Sequence, residues 1–344
     1  MADVSYGRVS DLSGLPDVIL SHAGEEGLER ALSRQSLSPE ILEHPDAVIP
    51  MKDLIALYRN ASEVCAIRSI GLDAVQGLRP CDYGPMGSFV GQASTLRRAF
   101  LRFQKALPAY ESGSRLTLRE SGNEFTVGYE NIFQNIAGYR HASDMTLRII
   151  ESTIREYLGP EWRPIRVETS QPKGCWESDY EDAFEAPVFF RAERIGFVLE
   201  RADVDRPLID PDSGTCGLVS FSDVQRLQQD LPKDFPGAVA KIVESRLTAG
   251  TIGIDQIASS LGLGTRTFQR RLDEHGLRYR QLVELVRMRR AQELLTGSDG
   301  TIAQIGRDVG YSSTAHFTRA FVRANEATPT EFRMRRGGEK HFVH

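Results

Sequence analysis

The feature that most constrains this chain is an internal repeat near its C-terminal end. Ile254, Ile257, Ala258, Leu261 and Gly262 recur as Ile302, Ile305, Gly306, Val309 and Gly310, each displaced by 48 residues. Past the glycine the displacement becomes 49, so that Thr265, Phe268, Gln269, Arg270 and Leu272 answer to Thr314, Phe317, Thr318, Arg319 and Phe321. One residue has been inserted in the second turn. Each copy places apolar residues at helical spacing, then a glycine able to adopt positive φ, then a second helix whose apolar positions are four apart. That order predicts two helix-turn-helix units in an all-α C-terminal domain.

The faces of the second helices that turn away from this apolar spacing are polar. In the first copy they carry Arg266, Thr267, Gln269 and Arg270; in the second, Thr314, His316, Thr318 and Arg319. Arginine and glutamine can contact guanine and adenine edges in bidentate fashion, and threonine can meet a base edge or a thymine methyl. Such a face on one helix could equally be solvated, but two in register are expected to read DNA. Charge agrees: from Pro236 onward there are seventeen Lys/Arg against eleven Asp/Glu, whereas the rest of the chain holds 25 against 36. The net charge of −5 conceals a basic final third suited to a polyanion. Between the copies, "RYRQLVELVRMRRAQELL" (278–295) spreads its apolar residues over more than one face, as a helix gripped at both ends would. Its length predicts recognition helices about 34 Å apart, one turn of the duplex.

Region 237–336 resembles the DNA-binding domain of the AraC/XylS family of bacterial transcriptional regulators. The signature is carried by "TIAQIGRDVGYSSTAHFTRAFVRANEATPTEFR" (301–333), with its closing Pro329, Phe332 and Arg333. The resemblance implies that Arg266, Gln269 and Arg270 of the first copy and Thr314, Ala315, His316, Thr318 and Arg319 of the second contact bases and phosphates, that RNA polymerase is a partner, and that the protein is an activator acting as a homodimer. Two positions depart from the family pattern. Gly306 replaces an alanine, which should weaken its helix by up to about 1 kcal/mol. Glu326 stands where a helix-ending glycine is usual, and Asn325 is expected to take the left-handed position instead.

The N-terminal two-thirds read as an α+β domain over 1–219. Helices are expected at "GEEGLERALSRQ" (24–35), "MKDLIALYRNASEVC" (51–65), Ser94 to Tyr110 with Pro108 interrupting its end, and "NIFQNIAGYRHASDMTLRIIESTIREYL" (131–158). "RLTLRES-GN-EFTVGYE" alternates around a Gly-Asn turn and predicts a β-hairpin. A strand at 165–170, a short helix at "SDYEDAF" and two strands in "VFFRAERIGFVLERA" complete a mostly antiparallel sheet. A connecting helix in 220–236, capped by Ser220 or Ser222, leads to the DNA-binding domain, and residues 337–344 form a tail. The stretches 83–100 and 175–208 are similar to the N-terminal domain of the arabinose-binding-like subgroup, which implies a small effector such as an amino acid, amine or other nutrient. Tyr83, Cys175, Trp176, Tyr180 and Phe184, near Glu177 and Asp179, are the candidate effector residues, with aromatic faces and carboxylates suited to a cation. Aromatics four apart, as in Tyr180 and Phe184, also suit a plain helix–sheet core.

Nucleotide-binding, zinc-protease, nucleophile-elbow and dinucleotide fingerprints are absent from the sequence, so no enzymatic activity, catalytic residue or cofactor is expected. His141 beside Asp144 reads as a surface pair. Cys65, Cys81, Cys175 and Cys216 lack metal-ligand spacing. An alkyl-accepting DNA-repair regulator would need a zinc-bound cysteine cluster, and the closest pair, Cys65 and Cys81, is sixteen apart. A ligand-independent DNA-bending protein is the other alternative. The absence of a long apolar run or a basic leader predicts a cytoplasmic protein with no membrane partner.

Overall fold

A computed structural model describes residues 5–174, 177–209, 217–229, 231–247 and 252–339. The chain divides into two compact units: Val4–Gln35 with His44–Leu231, and Pro232–His344 with the short segment Ser36–Glu43.

In the first unit, β1 (Tyr6–Arg8) leads through a 3-10 turn at Val9–Leu12 into α1 (Leu15–Ser33). The helix begins well before the expected Gly24, because Leu15 and Ile19 already bury one face and Pro16 occupies its first turn; Gly24 is instead a kink within it. β2 (Val48–Pro50) pairs antiparallel with β1, Tyr6 opposite Pro50. α2 (Met51–Cys65), α3 (Ile70–Asp73) and α4 (Gly84–Gly91) follow. α5 (Leu96–Tyr110) starts where the Thr95 hydroxyl accepts the Arg98 amide, and it buries Ala99, Phe100, Phe103, Ala106 and Leu107. Pro108 sits in its last turn without ending it, and the Glu111 amide donates to the Leu107 carbonyl at 3.0 Å.

The hairpin is β3 (Ser114–Ser121) with β4 (Glu124–Asn131), joined at Gly122 and Asn123. α6 runs over Tyr139–Leu158, eight residues shorter than its apolar spacing suggests. Asn131 still belongs to β4, Gly138 takes φ 94°, and Ile132 is exposed, so the segment between is a turn that merely carries helix-like spacing. β5 (Arg166–Glu168), α7 (Glu177–Phe184), β6 (Val188–Phe189) and β7 (Ile195–Glu200) complete a five-stranded sheet of order β3-β4-β7-β5-β6, antiparallel except between β5 and β6. α5 packs on β3 and α6 on β7, enclosing Phe100, Phe125, Ile150 and Phe197.

α8 (Phe221–Gln229) is capped by Ser220, whose hydroxyl accepts the Asp223 amide. It is not a free connector. Val224 is fully buried, the Phe221 ring lies 5.6 Å from Phe89, and the helix packs on α4 and α5. It is held from the other end of the unit as well: the buried Arg8 guanidinium donates to the Asp46 carbonyl at 2.9 Å and to the Leu227 carbonyl at 2.7 Å.

The second unit is helical. α9 (Phe235–Ser245) is capped by the Asp234 carboxylate, which accepts the Gly237 amide at 2.8 Å. α10 (Ile254–Ser260) and α11 (Thr265–Asp273) form the first repeat, α12 (Tyr279–Gly297) the link, α13 (Ile302–Asp308) and α14 (Thr314–Asn325) the second repeat, and α15 (Pro329–Glu339) closes it. Aromatic contacts mark two small cores. Phe268 sits between Phe235 and Tyr279 at 5.7 and 5.5 Å, and Phe317 and Phe321 sit between Tyr311 and Phe332. α12 buries Leu282, Val283 and Val286 toward one end and Met288, Ala291 and Leu295 toward the other, the last three in the second core.

Candidate nucleic-acid interface and N-terminal cavity

Both repeats turn in the same way. Gly262 and Gly310 adopt φ of 69° and 82°, and each donates its amide three residues back, at 2.8 Å. The following amides, Leu263 and Tyr311, reach the carbonyls of Ala258 and Gly306 at 2.9 Å. The inserted residue of the second copy falls after this turn, so the helix crossing is closed by the same backbone bonds in both.

With Phe268, Leu272, Phe317 and Phe321 wholly inside, the opposite faces are open. Arg266, Gln269, Arg270, Thr314, Ala315, His316 and Arg319 are exposed, and Thr267 and Thr318 are half-buried. Among the described residues Arg266 and Arg319 have no acidic partner, and Arg270 has only a loose exposed contact to Glu274 at 3.9 Å. Ser313 accepts the His316 amide at 3.2 Å and fixes the start of α14. Behind it, the Tyr311 hydroxyl donates to the Glu284 carboxylate, and the Arg287 guanidinium lies 4.9 Å over the Tyr311 ring.

The two unusual positions of the second copy have physical accounts. A Cβ on Gly306 would come within 3.2 Å of three Phe317 atoms, so glycine lets that ring lie against the α13 backbone. At the end of α14, Asn325 does not take the left-handed conformation. Glu326 does, with φ 53°, while the Asn325 amide donates to the Phe321 carbonyl and its oxygen accepts from Gln292. Arg333 packs back on the bundle, donating to the Leu295 carbonyl at 3.3 Å and the Gly300 carbonyl at 2.6 Å.

The N-terminal unit encloses a cavity of about 60 Å³ between the turn after β1, α2, α4, α5, β4 and α6. Its walls bring together Asp11, Tyr83, Tyr110, Glu111, Tyr129 and Tyr139 with Met51, Met86 and Met145. Among the described effector candidates from the sequence, Tyr83 lines it. Tyr180 and Phe184 belong to the core, stacked at 6.2 Å, so there the plain helix–sheet packing wins. Cys175 and Trp176 lie outside the described residues. Asp179 faces Arg140 at 3.5 Å and Arg68 at 3.9 Å. Asp144 is no surface residue: it is fully buried, paired with Arg140 at 3.4 Å and hydrogen-bonded by the Tyr180 hydroxyl. Burial raises its carboxyl to about 6 and lowers the neighbouring His141 to about 4. Asp11, Glu111 and the tyrosines of α5, β4 and α6 escaped the sequence reading, since they come from four separate elements, with Asp11 a hundred residues before Glu111.

Residues 27–208 match the arabinose-binding domain found at the N-terminus of AraC transcription regulators, and residues 257–335 match a helix-turn-helix domain. The chain belongs to the AraC/XylS family. This AraC-type protein is 23% identical over 336 residues to the ornithine utilization regulator of Pseudomonas aeruginosa, covering 89% of this chain and 92% of that one. It is 24% identical over 331 residues to the regulator VirS of Mycobacterium tuberculosis, covering 95% and 96%. The crystal structure of the transcriptional regulator CdpR from Pseudomonas aeruginosa aligns over 90% of this chain and 97% of its own, with 21% identity and a TM-score of 0.39. The matched families are transcription regulators rather than enzymes, and the AraC-type chain is a DNA-binding regulator. Among the described residues no three histidine, cysteine or carboxylate groups gather as metal ligands, and no helix is long and apolar enough to cross a membrane.

Proposed function

We propose that this AraC-type regulator is an effector-controlled activator, in which a small molecule in the N-terminal cavity alters how α11 and α14 engage paired sites on DNA. The observation that carries the DNA half is the pair of exposed helix faces, with free guanidinium groups at Arg266 and Arg319, opposite the sides that Phe268, Leu272, Phe317 and Phe321 bury. In this reading Arg266, Thr267, Gln269 and Arg270 lie in one major groove. Thr314, Ala315, His316, Thr318 and Arg319 lie in the next, with α12 setting the spacing. The cavity, with carboxylates and hydroxyls in a mostly apolar lining, supports the effector half. In this reading the protein acts as a homodimer with RNA polymerase as its partner.

Footprinting of the protein on its own upstream region, followed by titration of the protected duplex, tests the assignment. Arg270→Ala and Arg319→Ala should each weaken specific binding by about 1–3 kcal/mol while leaving binding to unrelated duplex nearly intact. Wild-type operator affinity in both variants would sink the recognition-helix assignment. A promoter reporter that responds to the protein but to no added metabolite would favour the ligand-independent alternative.

A further inference from the structure

The cavity wall carries two carboxylates and too little positive charge to balance them. Asp11, in the turn after β1, accepts the Arg8 amide at 2.7 Å; Glu111, just past α5, accepts the Tyr129 hydroxyl at 2.7 Å. Among the described residues neither forms an ion pair. The guanidinium of Arg8 is the fixed cation that acts on Asp11, and it is already committed to the carbonyls of Asp46 and Leu227 while lying 5.9 Å from the Tyr110 ring centre. One arginine against two half-buried carboxyls leaves the wall one positive charge short. Burial first, and then Glu111, push Asp11 up to about 8; burial likewise raises Glu111. A wall in that state takes up protons unless some other cation arrives.

The rest of the lining says what kind of cation fits. Tyr83, Tyr110, Tyr129 and Tyr139 line the cavity, and aromatic rings attract a desolvated ammonium. Methionine thioethers fill the gaps between them and suit a carbon skeleton. A calcium or magnesium ion would want six or so oxygen ligands and gains little from such walls. A second feature agrees with such a ligand. Tyr83 is 5% exposed and lines the cavity, and its hydroxyl lies beside Ser152, which gives its proton to the Ile149 carbonyl, so the Tyr83 oxygen can still accept from an ammonium. A volume of about 60 Å³ admits only a handful of non-hydrogen atoms.

We infer that the cavity binds a small organic ammonium ion, its nitrogen set against Asp11 and Glu111 and within reach of the Tyr83 hydroxyl, its carbons among the tyrosines and methionines. This assignment names the ligand class of the effector reading and rests on it.

The test uses the full-length protein and three probes of like shape and different charge: 1-butylammonium, 1-butanol and butyrate, titrated by calorimetry. 1-Butylammonium should bind at least about tenfold more tightly than 1-butanol, with butyrate weakest. The double variant Asp11→Asn with Glu111→Gln should bring the ammonium and the alcohol to within about threefold of each other. Should that variant not fold, Tyr83→Phe, which removes only the hydroxyl beside Ser152, should still weaken 1-butylammonium severalfold. Equal or tighter binding of the alcohol or the carboxylate, or no binding of 1-butylammonium, would overturn the cation assignment. Operator titrations in the presence of each probe separate the two readings. If the alcohol binds and shifts operator affinity, the effector reading stands and the ammonium assignment falls. If 1-butylammonium binds with the expected preference and leaves operator affinity unchanged, the ammonium site stands and the effector reading fails.

Discussion

The two helix-turn-helix copies follow one plan and are held by different means. In the first, α10 and α11 begin at Gly253 and Gly264, neither of which supplies a capping side chain. Its helices are tied instead by the Thr265 hydroxyl, which donates to Asp255 at 2.6 Å, and by buried Arg246, which donates to the Ser260 hydroxyl at 2.6 Å. In the second, Thr301 and Gln304 cap α13 reciprocally and Ser313 caps α14. The first copy ends α11 through Gly276 at φ 71°, the second ends α14 through Glu326 at φ 53°. The apolar framework is thus the shared part, while caps and helix ends are interchangeable details. Local helix stability in the second copy rests on caps, and in the first on tertiary contacts.

Four substitutions would break or sharpen this contrast. Arg333→Ala has the largest expected effect. It removes a charged donor from two carbonyls that anchor the second copy to the end of α12, and should cost about 1.5–3 kcal/mol in chemical denaturation. A loss below about 0.5 kcal/mol would show that the guanidinium is dispensable. Next comes Gly306→Ala, which makes the second copy match the first at Ala258. Helix propensity favours alanine by about 1 kcal/mol. The Phe317 ring cannot retreat, being enclosed by Tyr311 and Phe321, so overpacking should outweigh that gain and lower the melting temperature. The reciprocal Ala258→Gly should destabilise as well, and a stabilised Gly306→Ala would mean the second core is looser than its contacts imply. Smallest is Glu326→Gly, expected to stabilise by up to about 1 kcal/mol by relieving a left-handed non-glycine residue. A destabilised variant would show that the Glu326 side chain does something its conformation does not reveal.

The same contrast explains what could be read from sequence. Helix spacing at Ile257, Ala258 and Phe268, and again at Ile305 and Phe317, is a local signal, and repetition removes the ambiguity a single copy carries. The hairpin was equally plain, because alternation on both sides of Gly122 and Asn123 has few other solutions. Where reading went astray, spacing and geometry disagreed. Ile132, Phe133 and Ile136 have helical intervals but belong to a turn that Gly138 ends. α8 looks like a polar connector, yet Val224 and Phe221 bury it. For the cavity, adjacency in sequence misled: Tyr180 and Phe184 form a compact aromatic cluster that the sheet consumes as core. The residues that surround free space, Asp11, Glu111 and Tyr139 among them, share no window of sequence in which their convergence could show.

The clasp between Arg8 and α8 has a consequence for how the protein is made. The guanidinium near the beginning of the N-terminal unit is satisfied by a carbonyl 219 residues later. At the usual pace of about 5–20 residues per second, the ribosome adds that carbonyl some tens of seconds after the arginine. Until then the nascent unit carries a cation in search of its acceptor and an unsealed face on α5, the state in which a chaperone would find it. Completion of the N-terminal unit is therefore timed by the emergence of α8, immediately ahead of the helices that meet DNA.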